Sequence, residues 1–230
     1  MKILASHQPN FLPYMGYIYK MYQADTFSFS NGVGFSRNGF HNYNYFMENG
    51  QKTKITVPVR SHSDKICKVE LAEWEREKKR LLKRFRHNYS KYPHFGEVYQ
   101  LLEDAFCFEH KYLSDLNETL LRMIAEYLCI ETELVKETDL KLGYSNPSED
   151  IVQICTQLGC NTYLSGTGAE EYLQNSFFND KEIKILWSKF KEENEDSTQC
   201  NLSCLDYMMR YGRKIPDSWK VDKEAYHEKL

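Results

Sequence analysis

The sequence predicts an α/β protein, a mostly parallel sheet carrying a helical insertion. Three observations lead there. The first thirty residues spell strand, loop, helix, strand, which is a βαβ unit with an expected right-handed crossover. A block of amphipathic helical pattern fills about 73–130. The remaining strand signals lie on either side of that block. With 230 residues, 41% of them hydrophobic, the chain can bury a sizeable core, and one domain over 1–230 is expected.

Element by element, Ile3 to Ser6 reads as a short buried strand. His7 to Tyr14 follows as a loop whose path Pro9 and Pro13 restrict. Met15 to Gln23 reads as a helix, with Tyr17, Lys20 and Met21 at i, i+3 and i+4, and Thr26 to Ser30 alternates as a strand ending at Asn31-Gly32. Phe35 to Phe46 is read as a loop rich in rings and amides, Asn49-Gly50 as a turn, Lys54 to Val59 as a strand and Lys68 to Leu71 as another. Helices are expected over 73–89, 95–108 and 112–128, the last capped by Ser114 or Asp115. Ser148 is expected to cap a helix over 149–158 that Gly159 ends. A strand over 161–164, a small-residue turn over 165–169, a helix from Glu170, a strand over 183–186 and a helix over 202–211 stopped by Gly212 complete the pattern.

Composition narrows function. A net charge of -3 carries no electrostatic footprint for a long nucleic acid. The seven cysteines, Cys67, Cys107, Cys129, Cys155, Cys160, Cys200 and Cys204, are odd in number and form no Cys-x-x-Cys pair. Free thiols in a reducing compartment are expected, with no disulfide. Cys200 and Cys204 fall at a helical-turn spacing but lack partners for a zinc site, so no metal is expected. The start of the chain does not resemble a secretory signal, and no apolar run approaches the roughly 20 residues of a membrane span. A cytoplasmic protein is expected. The 17 tyrosines fit either a wet, ring-lined pocket or a tyrosine-tolerant core.

Three stretches carry candidate chemistry. His7, Gln8 and Asn10 follow the first parallel strand, at the edge where open α/β sheets place ligand crevices. Amides of the following helix should point there and favour an anion, with Tyr17 and Lys20 on the same helix. Ser36, Arg37, Asn42 and Asn44 sit in the segment after the second strand, where Arg37 suits a carboxylate or phosphate. Ser165, Gly166, Thr167 and Gly168 offer amides and hydroxyls without bulk, as a phosphate cradle needs, although the Gly-Lys-[Ser/Thr] ending of a P-loop is missing. The Gly-x-Ser-x-Gly elbow of an α/β-hydrolase is absent from the sequence. A single pocket shared by His7, Arg37 and Ser165 is expected.

Together these stretches resemble the WbqC-like family. His-Gln-Pro-Asn-Phe-Leu-Pro-Tyr-Met-Gly-Tyr-Ile-Tyr-Lys at 7–20 resembles its opening signature. Phe-Ser-Arg at 35–37, Asn42, Asn44 and Thr-Val-Pro-Val at 56–59 continue it. Tyr-Leu-Ser-Gly-Thr-Gly-Ala at 163–169 with Tyr172-Leu173, and Asn-Leu-Ser-Cys-Leu-Asp at 201–206 ending at Gly212, match its second and third hallmarks. The sequence departs from the family where Tyr43 replaces a usual Arg, Asn38 a common basic residue and Phe40 a common Trp, which puts a second cation in that loop in doubt. The resemblance implies a place in bacterial O-antigen and surface-polysaccharide assembly. It implies transfer of an acyl or aminoacyl group, glycine being the one proposed for some members, to an amino sugar or nucleotide sugar.

The βαβ start with His7 at a strand end also looks like the nucleotidyltransferase and adenylate-forming α/β enzymes, a fold-level analogy that would make ATP the activating cofactor. In that scheme His7, Lys20 and Arg37 are the catalytic residues. Gln8, Asn10, Tyr17, Ser36, Asn42, Asn44, Ser165 to Gly168 and Asp206 bind substrate or nucleotide. The competing expectation is a non-catalytic protein that binds a nucleotide sugar or glycan for a polysaccharide assembly complex. Oligomeric state is left open.

Overall fold

The computed structural model describes residues 2–60, 65–143, 146–171, 173–191 and 201–228. In chain order the elements are β1 (Ile3–His7), α1 (Met15–Gln23), β2 (Thr26–Phe29), β3 (Tyr43–Glu48), β4 (Gln51–Thr56), α2 (Trp74–Tyr89), α3 (Phe95–Cys107), α4 (Leu113–Tyr127), β5 (Glu133–Lys136), α5 (Pro147–Gln157), β6 (Thr162–Ser165), α6 (Asn175–Asn179), β7 (Lys184–Trp187), α7 (Cys204–Tyr211) and α8 (Asp217–Glu228). The main sheet has five strands in the order β5-β2-β1-β6-β7, and every pairing in it is parallel. A separate antiparallel hairpin joins β3 to β4.

Alternation along β1 sends successive side chains to opposite faces of the sheet. Ile3 and Ala5 join a core with Tyr17, Ile18 and Met21 of α1. Leu4 joins Tyr163 and, from α5, Val152, Ile154 and Cys155 in a second core. The two helices therefore cover the two faces, and both cores are needed because a parallel sheet buries both sides. Chain order runs outward from β1 to β2 on one side and reaches β6 and β7 on the other, which makes the β1–β6 boundary a topological switch point.

The fold class is as expected, with helices α2 to α4 forming the insertion. Several element boundaries are corrected. The segment read as a loop over 35–46 becomes β3 from Tyr43 onward, because its backbone pairs with β4 at every residue. β4 itself spans Gln51–Thr56, so it starts and ends earlier than the strand expected over 54–59. Residues 68–71 make isolated bridges, Val59 with Leu71 and Glu70 with Tyr112, and no strand. Asn146, not Ser148, caps α5: its Oδ1 accepts from the Ser148 and Glu149 amides, with Pro147 in the first turn. Helix α4 begins at Leu113 with no side-chain cap. No helix runs on from Glu170; α6 starts at Asn175. The parallel edge strand β5 and the terminal helix α8 were not expected. Gly212 does end α7, at φ 64, where a Cβ would also meet the His94 ring.

Among the described residues no helix is long and apolar enough to cross a membrane. The six described cysteines are free thiols; Cys200 and Tyr172 lie outside the described residues. Burial raises the Cys155 thiol and pushes Cys204 to about 12, so neither is a nucleophile at neutral pH.

Candidate functional site

A cavity of about 490 Å³ opens at the carboxyl edge of the parallel sheet, over the switch point. β1 delivers Ser6, His7 and Gln8 to it, β2 delivers Ser30, β5 delivers Glu137 and β6 delivers Ser165 to Ala169. Gly16, Tyr17 and Lys20 of α1 close one wall, and Pro147, Asp150 and Ile151 of α5 close another. The convergence follows from topology: parallel strands all end at one edge, and each crossover helix begins there.

The path of the 7–14 loop sets where His7 points, and it is held from far away in sequence. Asn44 Nδ2 donates to the Phe11 and Leu12 carbonyls at 3.2 and 2.8 Å, Asn117 Nδ2 to the Pro9 carbonyl at 2.8 Å, and Ser203 Oγ to the Leu12 carbonyl at 2.7 Å. These side chains replace the ladder that a buried loop lacks. They also hold Leu12 at φ 40, in the left-handed region that a branched side chain disfavours. Gly16 admits no Cβ, which would lie 2.3 Å from the Tyr14 ring and 2.8 Å from the Phe190 ring. Those two rings pack edge to face at 6.0 Å on the cavity's rim.

The α1 wall is poised for an anion. The Tyr14 side chain makes no capping bond to the first turn, and that turn holds no acidic residue; the Tyr17 amide donates to the Tyr14 carbonyl at 3.0 Å, and the Gly16 backbone lines the cavity. Lys20 is 7% exposed and its Nζ donates to the Ser6 carbonyl at 2.9 Å. Among the described residues it forms no ion pair, and burial lowers its pKa to about 8. The His7 ring meets Tyr17 edge-on at 4.8 Å. Its Nδ1 lies 3.1 Å from the Gln8 carbonyl; a proton on Nδ1 makes that bond and leaves Nε2 as an acceptor. Desolvation first, then the Lys20 charge, lower the His7 pKa to about 3, so the ring is neutral at physiological pH. Across the cavity, a Cβ at Gly166 or Gly168 would meet nothing within 4 Å, which leaves room beside the turn for a ligand.

Of the site residues read from the sequence, His7, Gln8, Tyr17, Lys20 and Ser165 to Gly168 line this cavity. Arg37 and Ser36 do not: both are exposed in the turn after β2, so the pocket expected to be shared by His7, Arg37 and Ser165 lacks its arginine. Asn10 is buried away from the cavity. Asn42 Nδ2 donates to the Val57 carbonyl at 2.9 Å and Asn44 is committed to the loop, so both hold backbone. Asp206 Oδ1 accepts from the Met47 amide at 3.2 Å, and burial pushes its carboxyl up to about 7. It lines a second cavity, of about 490 Å³, with Arg210 and Trp219. Glu137 and Asp150 line the first cavity and were not singled out beforehand; Glu137 was hidden because the strand before it was not read as one.

A model of the WbqC-like protein family matches residues 8–217. The chain is also 27% identical over 228 residues to uncharacterized protein Rv1507c of Mycobacterium tuberculosis, across 94% of this chain and 97% of that relative. The chain belongs to the WbqC-like protein family.

Proposed function

From that membership, we propose that the chain transfers an acyl or aminoacyl group to an amino sugar or nucleotide sugar, through a carboxylate activated by ATP, in surface-polysaccharide assembly in the cytoplasm. One observation carries the reading: a buried lysine that forms no ion pair among the described residues, and a helix start with no side-chain cap, face the same cavity as an open Ser-Gly-Thr-Gly turn. Those groups fit a phosphate chain. Lys20 neutralises it, the start of α1 donates to its oxygens, and the 165–168 turn has room for it. A bound anion raises the Lys20 pKa and holds the ammonium charged.

The chemistry then has two steps. The donor carboxylate attacks the α-phosphorus of ATP and pyrophosphate leaves. The sugar amine attacks the acyl carbonyl carbon and AMP leaves. His7, neutral at rest, serves as a hydrogen-bonding group beside the phosphates, with Gln8 and Tyr17 on the same wall. Formation of AMP and pyrophosphate that needs both a carboxylate donor, glycine first among those tried, and an amino sugar tests the reading. Its absence with every donor, together with tight nucleotide-sugar binding, would favour a non-catalytic binding protein.

A further inference from the structure

The cavity has two walls of opposite character. Facing Lys20 and the α1 amides is a wall of carboxylates, Glu137 just past β5 and Asp150 in the first turn of α5. The α5 amides are spent on the Asn146 cap, at 2.8 Å from Ser148 N and 3.4 Å from Glu149 N, so this helix start offers no second anion site. Register places Glu137 one residue beyond the Phe29–Lys136 pair, level with Ser30, and Ser30 one beyond the His7–Phe29 pair. Ser30 Oγ is 2.6 Å from Ser6 Oγ, and both serines line the cavity with Glu137. Two hydroxyls thus line the same stretch of the cavity as Glu137. Glu137 is 3% exposed. Desolvation raises its pKa, Asp150 raises it further, and Ser30 and Lys65 oppose the shift only in part. A cation in the cavity relieves that cost directly.

Resting on the transfer reading above, we infer that Glu137 receives the acceptor amine: its carboxylate binds the ammonium and takes a proton from it before attack. The ammonium gives one proton to Glu137 and becomes the free amine. The amine nitrogen forms a bond to the acyl carbon, the acyl C–O bond to phosphate breaks, and its electron pair leaves on the AMP oxygen. That oxygen takes the second nitrogen proton. Asp150 stands beside Glu137 as the second carboxylate of the wall. With no nucleotide on Lys20, a substrate with an amine at one end and a phosphate at the other meets both walls of the cavity, Glu137 and Lys20.

Calorimetry on the full chain with glucosamine 1-phosphate and N-acetylglucosamine 1-phosphate tests the amine contact, since acetylation removes the charge and keeps the phosphate. The unaltered chain is expected to prefer the free amine by about tenfold, the worth of a charge-assisted hydrogen bond. Glu137→Gln is expected to bind the two alike. Equal binding by the unaltered chain, or binding of neither, overturns the assignment without any variant. The proton role has its own readout. Transfer to the amino sugar should fall about a hundredfold in Glu137→Gln and recover with hydroxylamine, a nucleophile that needs no base at neutral pH. Equal losses with both nucleophiles overturn the base role. Amine preference in a chain that forms no AMP would instead sink the activation step and leave Glu137 as an amine-binding residue.

Discussion

His7 and Asn44 both touch the loop after the first strand, and both belong to polar stretches that read alike in the sequence. His7 ends at a cavity and is partly buried there, while Asn44 is buried and spends its amide on the Phe11 and Leu12 carbonyls. The same division separates the sheet edge from the region around the β3–β4 hairpin. At the edge, Lys20 and Glu137 are buried charges that face open space. Around the hairpin, Asn42, Asn44 and Asp206 are buried polar groups that hold backbone. A polar side chain near a ligand edge is therefore read by what it still has to donate or accept, not by its position alone. The hairpin region builds the loop that aims His7, and the edge keeps the groups on which the proposed binding rests.

The largest expected effect concerns Asp206. Its folded-state pKa, about 7, lies above the unfolded value of 3.8. The contribution is thus fully present below the unfolded value and is lost as pH rises through the folded one. The loss is on the order of 4 kcal/mol by linkage. Asp206→Asn keeps an oxygen for the Met47 amide and removes the buried charge. Chemical denaturation at pH 8 should show the variant to be more stable than the parent, with the difference vanishing near pH 4. Loss of ligand binding with no gain in stability would move Asp206 from the hairpin's support to the binding side.

Asn44→Ala comes next. It takes the Asn44 donor from the buried Phe11 carbonyl, leaves the Leu12 carbonyl to Ser203 alone, and removes the acceptor of the Tyr45 amide, at 2.8 Å. Roughly 3 kcal/mol of stability should go, seen in denaturant melts. Since the loop it holds carries His7, ligand affinity should fall with the population of the correct loop. A variant that stays as stable as the parent but binds nothing would place Asn44 on the binding side.

His7→Ala is the counterpart at the edge. The ring lines a cavity and its one polar contact is to the neighbouring carbonyl, so the melt should shift by about 1 kcal/mol. AMP formation should fall about a hundredfold, which corresponds to about 2.7 kcal/mol in the barrier. Full activity would leave the cavity as a binding site and end the catalytic part of His7.

What was legible follows from range. The βαβ start, the helical block and the end of β6 at Ser165 come from local periodicity, which a sequence displays directly. β3 was read as a loop because Asn44 and its tyrosines carry turn and ring composition, yet their pairing with β4 is tertiary. β5 is a four-residue edge strand with half-exposed side chains and no clear alternation, and Glu137 disappeared with it. The tyrosine excess proved ambiguous for a physical reason: Tyr17, Tyr19 and Tyr89 fill the core, while Tyr14 sits at the rim. The loop's anchors were out of reach, since Asn117 and Ser203 act on carbonyls 108 and 191 residues away.

The smallest expected effect is the most discriminating for the division itself. Arg37 looks from the sequence like the carboxylate clamp of the site. Its side chain is exposed in the turn over 36–39, where Gly39 N donates to the Ser36 carbonyl at 3.1 Å, and it does not line the cavity. Nothing about that placement makes truncation costly, so Arg37→Ala should stay within about 0.5 kcal/mol of the parent in a melt. Turnover and glucosamine 1-phosphate affinity should also stay within about twofold, because an exposed charge across solvent adds little to a buried phosphate's binding. A tenfold loss of affinity at unchanged stability would mean that the 35–41 segment closes over the sheet edge when ligand is present. The hairpin side of the molecule would then supply a ligand contact as well as support.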